Sequence, residues 1–225
     1  MENNLITTEN NSSWDAIKEA HGLSYDPEKL ETYYDKWSSQ YDNDVSSEEY
    51  SGPRYIAEYL TRILETKFQV GANREELKIL DAGCGTGLVG VEVEKLGFGK
   101  IDGFDLSNNM VEVANNTGSY GSLTGGCNMN AKIEAYQDNQ YEIIVCCGVF
   151  TLGHVHSTAL EELIRITKPG GLIIISTRKS YYDGSDFQEA SDRLQAAGKI
   201  KLIDHVMDGP YIAEEGAHYW AFVVA

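Results

Sequence analysis

The sequence predicts an α/β fold in which helices cover both faces of a mostly parallel sheet. Short, nearly continuous apolar runs at 79–82, 141–147 and 172–176 alternate with segments of helical periodicity, as buried parallel strands do. A glycine-rich turn follows the first run and leads into a helix. Two last apolar runs, 201–207 and 219–224, leave no room for a helix between them, so we expect them to pair antiparallel.

The amino-terminal residues are expected to form a tail and then a helical cap. The first residues are polar and rich in asparagine, which predicts disorder. A short helix is expected at 13–22, a second opens at Pro27, and a third covers about 52–67. The chain therefore divides into a disordered tail at 1–12, a cap at 13–70 and a main domain at 71–225.

One face of the second helix is rich in aromatic residues. Leu30, Tyr33, Tyr34, Trp37 and Tyr41 follow one another at helical spacing, so a single helix is expected to run through them. Two interpretations remain open. The face packs on the sheet as ordinary core, or it closes over a ligand as a lid whose aromatic wall excludes water and attracts cations.

The remaining residues predict alternating strands and helices. After the first strand, the expected strands are 100–106, a short one near 127–129, 141–147, 172–176, 201–207 and 219–224. The expected helices are 88–97, one capped by Ser107, one ending at 161–167, and 187–197.

The glycine-rich turn decides which cofactor is expected. Gly85-Thr86-Gly87-Leu88-Val89-Gly90 satisfies the dinucleotide pattern G-x-G-x-x-G, and Asp105 stands twenty residues after Gly85, where the ribose ligand of a nicotinamide cofactor is expected. Asp81 lies two residues before the first glycine, however, and its charge would repel a pyrophosphate. It would attract a cofactor that carries an ammonium and a sulfonium. S-adenosylmethionine carries both.

Three motifs resemble those of the class I S-adenosylmethionine-dependent methyltransferases. Residues 80–87 are similar to the glycine-rich first motif of that family, 103–107 to the acidic end of its second strand, and 168–171 to the turn before its fifth strand. The resemblance covers roughly residues 33–224. It implies a Rossmann-like, seven-stranded, mostly parallel sheet whose last strand is antiparallel, and it favours the lid interpretation of the aromatic face.

A narrower resemblance is to the methyltransferase-like proteins typified by that of the Williams–Beuren syndrome chromosomal region. It rests on three short segments: 34–37, 162–171 and 176–178.

Composition restricts the partners that we expect. The chain has 225 residues, of which 42% are hydrophobic, and this suits one α/β domain. Its 18 basic and 35 acidic residues give a net charge of −17, which repels nucleic acid and anionic membranes. The acidity is consistent with a solvated surface or with a funnel for a cationic substrate. Without a membrane span or a signal peptide in the sequence, we expect a cytoplasmic protein, as a monomer or homodimer.

No metal is expected as a cofactor. The four cysteines, Cys84, Cys127, Cys146 and Cys147, lack metal-ligand spacing and are expected to be reduced thiols in or beside core strands.

The expected cofactor contacts come from the turn, three strand ends and the lid. The Asp105 carboxylate offers two acceptor oxygens for the ribose hydroxyls, Leu106 and Met110 flank the adenine, and Asn128 and Met129 meet its amino group. Cys147 and Gly148 either end the fourth strand without a further role or aim carbonyls at the ammonium and sulfonium. The remaining expected contacts are Asp81, Gly83, Cys84, Gly85, Gly87, Tyr33 and Trp37.

His154 and Tyr41 are the expected catalytic residues. His154 follows the fourth strand in a loop where a family member can hold a general base, and Tyr41 belongs to the lid. Arg178 or Arg54 can clamp a carboxylate of the acceptor. The expected substrate walls are Tyr34, Tyr50, Arg54, Phe150, Arg178 and Tyr182.

The sequence therefore predicts a methyltransferase that transfers a methyl group from S-adenosylmethionine to a small molecule by in-line displacement and leaves S-adenosylhomocysteine. Two alternatives remain. One is an NAD(P)-dependent oxidoreductase, and the other is a scaffold that binds the cofactor without turnover. The sequence does not fix the acceptor atom.

Overall fold

A computed structural model of the protein describes residues 13–68 and 74–225. The predicted tail at 1–12 and the predicted boundary at residue 70 lie outside these residues. The described part of the chain contains one seven-stranded sheet. Its strands are β1 (Ile79–Ala82), β2 (Ile101–Phe104), β3 (Tyr120–Thr124), β4 (Tyr141–Phe150), β5 (Thr167–Arg178), β6 (Ile200–Gly209) and β7 (Ala217–Val224).

Helices precede the sheet and connect its strands. Those before β1 are α1 (Ser13–His21), α2 (Pro27–Trp37), α3 (Tyr41–Ser47) and α4 (Gly52–Ile63), which continues as a π-helical turn at Leu64–Phe68. A 3-10 turn at Arg74–Glu76 leads into β1. The others are α5 (Leu88–Lys95), α6 (Asn108–Asn116), α7 (Ala159–Ile166), α8 (Lys179–Gly184) and α9 (Phe187–Ala196).

The sheet confirms the predicted mixture of parallel and antiparallel strands. Its order is β3-β2-β1-β4-β5-β7-β6. The first five strands pair in parallel, with Leu80 of β1 opposite both Asp102 and Ile144. Strand β7 runs antiparallel to both neighbours, with Ala221 opposite Ile174 of β5. The carboxyl ends of β1, β2 and β4 therefore meet at one edge, where α/β sheets bind ligands.

Strand β4 has a continuous apolar run at 143–147 because both faces of the sheet are covered there. In β4, Ile144 and Cys146 join one hydrophobic cluster, whereas Ile143 and Val145 join the cluster on the other face. All four side chains are buried. Alternation of side chains along a strand therefore supplies two cores from one continuous apolar run.

Strand β3 is where the prediction was wrong. The third strand was expected near 127–129, but it lies at Tyr120–Thr124. As an edge strand it buries Tyr120 and leaves Gly121 and Ser122 exposed, so it lacks the apolar run by which the central strands were found. Residues 127–129 form a loop instead, in which the Cys127 N–H donates to the Asp105 carbonyl over 2.9 Å.

Two other elements differ from expectation. The single aromatic helix is two helices, because α2 ends at Trp37 and the Gln40 N–H donates to the Trp37 carbonyl before α3 begins. Helix α8 was not predicted, since six residues carry too little periodicity. The predicted cap of α6 is confirmed: the Met110 N–H donates to the Ser107 hydroxyl over 3.0 Å.

The helices of the described residues are short. Within 13–68 and 74–225, none is both long and apolar enough to cross a bilayer.

Candidate functional site

A cavity of about 760 Å³, which we call the main cavity, opens at the carboxyl ends of β1, β2 and β4 beneath α2 and α3. Its walls bring together the glycine-rich turn, the loop after β2, the loop at 127–130 and the end of β4. Its lining residues are Pro27, Leu30, Tyr34, Tyr41, Gly83, Gly85, Phe104, Asp105, Leu106, Met110, Cys127, Asn128, Met129, Asn130, Cys147, Gly148, Val149, His154 and Val155.

The glycine-rich turn needs its first glycine for two reasons. Gly83 has a φ of +76°, a conformation that other residues rarely adopt. A Cβ added there would also lie 2.3 Å from Cγ2 of Val149. The turn therefore presents bare backbone to the main cavity, and its last residue, Gly87, leads into α5.

The Asp105 carboxylate holds two parts of the main cavity together. Its Oδ2 accepts from the Gly85 N–H and its Oδ1 from the Ser107 N–H, each over 2.9 Å. Burial raises the pKa of Asp105, while these backbone donors oppose the shift. Each carboxylate oxygen retains a lone pair, so the group can still accept from a ligand.

Asp81 lies under the turn, behind the lining residues of the main cavity. The Tyr120 hydroxyl donates to its Oδ2 over 2.7 Å and itself accepts from the Gly90 N–H over 3.1 Å. The Asp81 Oδ1 is buried without a hydrogen-bond partner among the described residues. Burial raises the pKa of Asp81 to about 7, against the opposing effect of the Tyr120 hydrogen bond. This carboxylate therefore sits close to its titration point at neutral pH.

Two aspartates fasten α2 and α3 over the main cavity. The Asp35 Oδ1 accepts from the Ser107 hydroxyl over 2.5 Å and from the Asn109 N–H over 3.2 Å. The Asp42 Oδ1 accepts from the Thr86 hydroxyl over 2.6 Å. One helix is thus joined to the start of α6 and the other to the glycine-rich turn.

The aromatic residues of these helices divide between two sides. Tyr34 and Tyr41 face the main cavity. Tyr33, a predicted cofactor contact, does not line the main cavity: its hydroxyl donates to the Ala16 carbonyl over 2.7 Å, and its ring lines an outer groove between α1 and α2. Trp37 is buried, and its Nε1–H donates to Asp44 Oδ2 over 2.7 Å.

A second cavity of about 390 Å³, which we call the side chamber, adjoins the main cavity and shares Tyr34, Tyr41 and Gly148 with it. Most of its wall is aromatic. The lining residues are Ala20, His21, Tyr34, Trp37, Tyr41, Val45, Tyr50, Gly148, Thr151, Arg178, Tyr211 and Ile212.

Arg178 supplies the charge in the wall of the side chamber. Its side chain is 4% exposed, and its Nε–H donates to Glu215 Oε1 over 2.6 Å. Its Nη1–H donates to His21 Nε2 over 3.0 Å, so this nitrogen of His21 is unprotonated. Burial and the Arg178 charge lower the pKa of His21 to about 3. The paired charges and neutral imidazole leave this wall without net charge.

His154 and Tyr34 meet at the boundary of the two cavities. The Tyr34 hydroxyl lies 2.7 Å from His154 Nε2, and His154 Nδ1 lies 2.9 Å from the Leu152 carbonyl. Burial lowers the pKa of His154 to about 4, with the Arg178 charge contributing, against the hydrogen bond to Leu152. The imidazole is therefore neutral at physiological pH.

The structure brings most of the predicted residues together. Those that line the main cavity are Gly83, Gly85, Asp105, Leu106, Met110, Asn128, Met129, Cys147, Gly148, Tyr34, Tyr41 and His154. Those that line only the side chamber are Trp37, Tyr50 and Arg178. Asp81, Cys84 and Gly87 lie in or beneath the turn, outside the lining of the main cavity.

Three predicted substrate residues lie elsewhere. Arg54 is exposed on α4 and pairs with Glu58 over 3.1 Å. Phe150 is fully buried in the core against Phe187. Tyr182 stacks on His218, with ring centroids 4.1 Å apart. None of these side chains lines either cavity.

Sequence reasoning missed the residues that fasten α2 and α3. The dipeptide Tyr-Asp occurs at 34–35 and again at 41–42. Only its tyrosines were assigned roles, although the repeat was the available signal for both aspartates. Tyr211 also lines the side chamber, and its place there depends on the loop between β6 and β7, which has no such pattern.

Comparison with known proteins identifies the class. Residues 49–221 match the model of the methyltransferase domain family. The chain belongs to this family, which confirms the predicted class I, S-adenosylmethionine-dependent methyltransferase.

Individual relatives agree with the family. The chain is 35% identical over 185 residues to human methyltransferase-like protein 27, a match that covers 81% of this chain and 72% of the human protein. This bears out the narrower resemblance to methyltransferase-like proteins. In fold the chain is similar to a TehB-like SAM-dependent methyltransferase of Corynebacterium glutamicum, with a TM-score of 0.61, 19% identity and coverage of 86% of this chain and 99% of that one. It is also similar to magnesium protoporphyrin IX methyltransferase of Synechocystis with bound SAM, with a TM-score of 0.56, 16% identity and coverage of 76% and 79%.

The main cavity fits S-adenosylmethionine in its chemistry. It offers a half-buried carboxylate at Asp105 and apolar flanks at Leu106 and Met110, and the unpartnered oxygen of Asp81 lies at the end of β1, two residues before the turn's first glycine. Among the residues at 13–68 and 74–225, no three or more His, Cys, Asp or Glu side chains form a group that could hold a metal.

Replacing Asp81 with Asn tests the state of this carboxylate. Because burial raises its pKa to about 7 from the usual 3.8, the native state binds the proton more tightly than the unfolded chain does. The stability from that proton is complete below pH 3.8 and is lost as the pH rises through about 7. We expect Asp81→Asn to gain stability relative to the parent between about pH 4 and pH 8. Urea unfolding followed by circular dichroism measures this, and a constant difference would contradict the raised pKa.

Proposed function

We propose that this protein transfers a methyl group from S-adenosylmethionine to a small molecule, with the cofactor in the main cavity and the acceptor in the side chamber. The observation that carries the proposal is the junction of the two cavities, where Tyr34, Tyr41 and Gly148 line both. A cofactor and an acceptor bound on either side of this junction would meet there.

The proposed cofactor contacts follow from the main cavity. Asp105 would accept from the ribose hydroxyls with the lone pairs that Gly85 and Ser107 leave available. Leu106 and Met110 would flank the adenine, because both lie on the wall next to Asp105. The loop that would meet the adenine edge contributes Asn128 and Met129, and the end of β4 contributes Cys147 and Gly148.

The protein's part in the reaction is mainly alignment and exclusion of water. Bound S-adenosylmethionine supplies a methyl group on a positively charged sulfur, which is already a strong electrophile. The chain must hold the acceptor in line with that group in a dry cavity. Tyr41 would serve this by closing the junction from the side of α3.

Size favours a small acceptor. The side chamber, with about 390 Å³ of empty space that includes its open mouth, is about half the size of the main cavity. The names of some relatives also indicate small acceptors. The ubiquinone biosynthesis O-methyltransferases are examples, with 27–29% identity over about half of this chain. The carboxylate of Asp81, two residues before the first glycine of the turn, argues against the pyrophosphate of a nicotinamide dinucleotide.

Transfer of label decides between an enzyme and a silent scaffold. We expect the protein, incubated with methyl-labelled S-adenosylmethionine and a metabolite extract freed of macromolecules, to place label on a small molecule. Cofactor binding is measured in parallel by titration calorimetry with S-adenosylhomocysteine. Retained binding with no label on any small molecule would favour the scaffold. Parallel incubations contain the protein and RNA fractions of the same extract, and label on these fractions alone would contradict a small acceptor.

Asp105→Ala tests the ribose contact. We expect binding of S-adenosylhomocysteine to weaken by about 1.5–3 kcal/mol, since a charged acceptor of hydrogen bonds is lost. Asp102→Ala is the matched control: Asp102 lies on β2, three residues before Asp105, but its carboxylate accepts from Tyr141 over 2.7 Å, away from the main cavity. Calorimetry of both variants measures the effect. Equal affinities of Asp105→Ala and the parent would remove Asp105 from the proposed contacts.

The two helices over the main cavity, α2 and α3, are proposed to act as a lid. They are attached by side-chain hydrogen bonds of Asp35 and Asp42 and by aromatic packing, so they can open without disturbing the sheet. We expect hydrogen exchange of residues 27–47 to slow when S-adenosylhomocysteine binds. Strand β6 is the internal control, since it lies at the opposite edge of the sheet. Unchanged exchange at 27–47 would contradict the lid and show that α2 and α3 are packed in the same way with and without the ligand.

A further inference from the structure

We propose that the acceptor is a small phenol, and that its hydroxyl proton leaves through the Tyr34 hydroxyl to Nε2 of His154. This inference rests on the proposed function. Tyr34 is the residue through which it is argued, because its side chain lines both cavities and its hydroxyl lies 2.7 Å from His154 Nε2.

The hydrogen bonds of His154 fix the direction of this path. The Leu152 carbonyl can only accept, so Nδ1 of His154, 2.9 Å away, carries the proton. The Thr151 hydroxyl lies 3.1 Å from the same nitrogen and supports this orientation. In the neutral ring Nε2 is then the acceptor, and the Tyr34 hydroxyl donates to it. The lone pair that can take a proton therefore points at Tyr34, and through it at the side chamber.

The walls of the side chamber favour a flat, neutral acceptor. Five of its lining side chains carry aromatic rings of Tyr or Trp, which pack well against a planar ring: Tyr34, Trp37, Tyr41, Tyr50 and Tyr211. The buried Arg178 is paired with Glu215, so the wall attracts neither charge strongly. Tyr50 and Tyr211 also bring hydroxyl groups to Gly148 at the junction, where they can orient a polar substituent.

The proton path separates a phenol from a carboxylic acid. A carboxylic acid has a pKa near 4 and is already ionised at neutral pH, so it has no proton to give up. A phenol has a pKa near 10 and must lose its proton as it reacts. A neutral imidazole connected to the junction is useful for a phenol and useless for a carboxylate.

Charge and atoms balance in the proposed step. The acceptor oxygen forms a bond to the methyl carbon while the sulfur–carbon bond breaks and its electron pair stays on sulfur. The phenol proton moves to the Tyr34 oxygen, and the Tyr34 proton moves to His154 Nε2. The positive charge that sulfur loses reappears on the imidazole, so the buried site keeps its net charge. This matters because an uncompensated charge in such a site is costly.

The surroundings of His154 keep it neutral until that step. Arg178 and His21 face it from the side chamber, and Asp105 faces Tyr34 from the main cavity. The low pKa of His154 would fall further beside a positively charged sulfur and rise when that charge is lost. The base is therefore ready when the cofactor is bound, and it becomes stronger as the methyl group leaves.

Methyl-labelled S-adenosylmethionine with catechol, and separately with benzoate, tests the acceptor. We expect label on catechol and none on benzoate. Tyr34→Phe and His154→Gln should lower the rate with catechol about a hundredfold or more, the range of general base catalysis, without changing the affinity for S-adenosylhomocysteine. Tyr33→Phe is the matched control, because this neighbouring hydroxyl contacts Ala16 outside both cavities, and it should keep the parental rate.

Each other outcome has a meaning. No label on catechol, or equal label on benzoate, would overturn the acceptor class. Full activity of Tyr34→Phe would overturn the proton path. If the parent protein does not bind S-adenosylhomocysteine, the proposed function itself is wrong.

A spectroscopic measurement tests the path without turnover. In protein labelled with ¹⁵N-histidine, the signals absent from His154→Gln identify His154. We expect these signals to show a proton on Nδ1 and an unprotonated Nε2 from pH 5.5 to 8, and the Nε2 signal to shift in Tyr34→Phe. A proton on Nε2 in this range would overturn the proposal.

Discussion

The position of one carboxylate, that of Asp105, supports most of the site. It joins the glycine-rich turn after β1 to the first residue before α6, through the N–H groups of Gly85 and Ser107. The Ser107 hydroxyl in turn caps α6 by accepting from the Met110 N–H, and it donates a hydrogen bond to Asp35 of α2. A carboxylate can accept several hydrogen bonds at once, so this single group joins the turn and a helix start, and through Ser107 the covering helix.

A ligand that binds Asp105 therefore acts on all three elements. The Thr86 hydroxyl, three residues after Gly83, donates to Asp42 of α3, so the turn itself carries the second attachment. The proposed cofactor contacts and the contacts that hold α2 and α3 then come from the same short segments, the glycine-rich turn and the residues after β2. Ordering of the turn by a ligand would favour closure of α2 and α3, and closure would favour the ordered turn, because coupling between binding events is reciprocal.

Local patterns predicted the parts of this protein that local sequence determines. The apolar runs of β4 and β5 and the capping Ser107 were found because each lies within a few residues of chain. Strand β3 was missed because an edge strand needs only one buried face. The pairing of Arg178 with Glu215 spans 37 residues and depends on the antiparallel return of β7, so no spacing in the sequence could have indicated it. Phe150 was assigned to the substrate wall, but its ring completes the core under α9.

The carboxylates of the site differ from those of the surface in their exposure to water and in their pKa values. Most carboxylates within 18–68 and 74–225 are exposed or half-buried, whereas Asp81 is buried and Asp105, half-buried in the site, shares its raised pKa. A cationic ligand nearby would lower both pKa values and so gain attraction from groups that burial alone makes reluctant to ionise. A ligand of the same shape without that charge would gain less. The site can thus favour a sulfonium over a thioether by electrostatics alone, which is what a methyltransferase needs in order to release its spent cofactor.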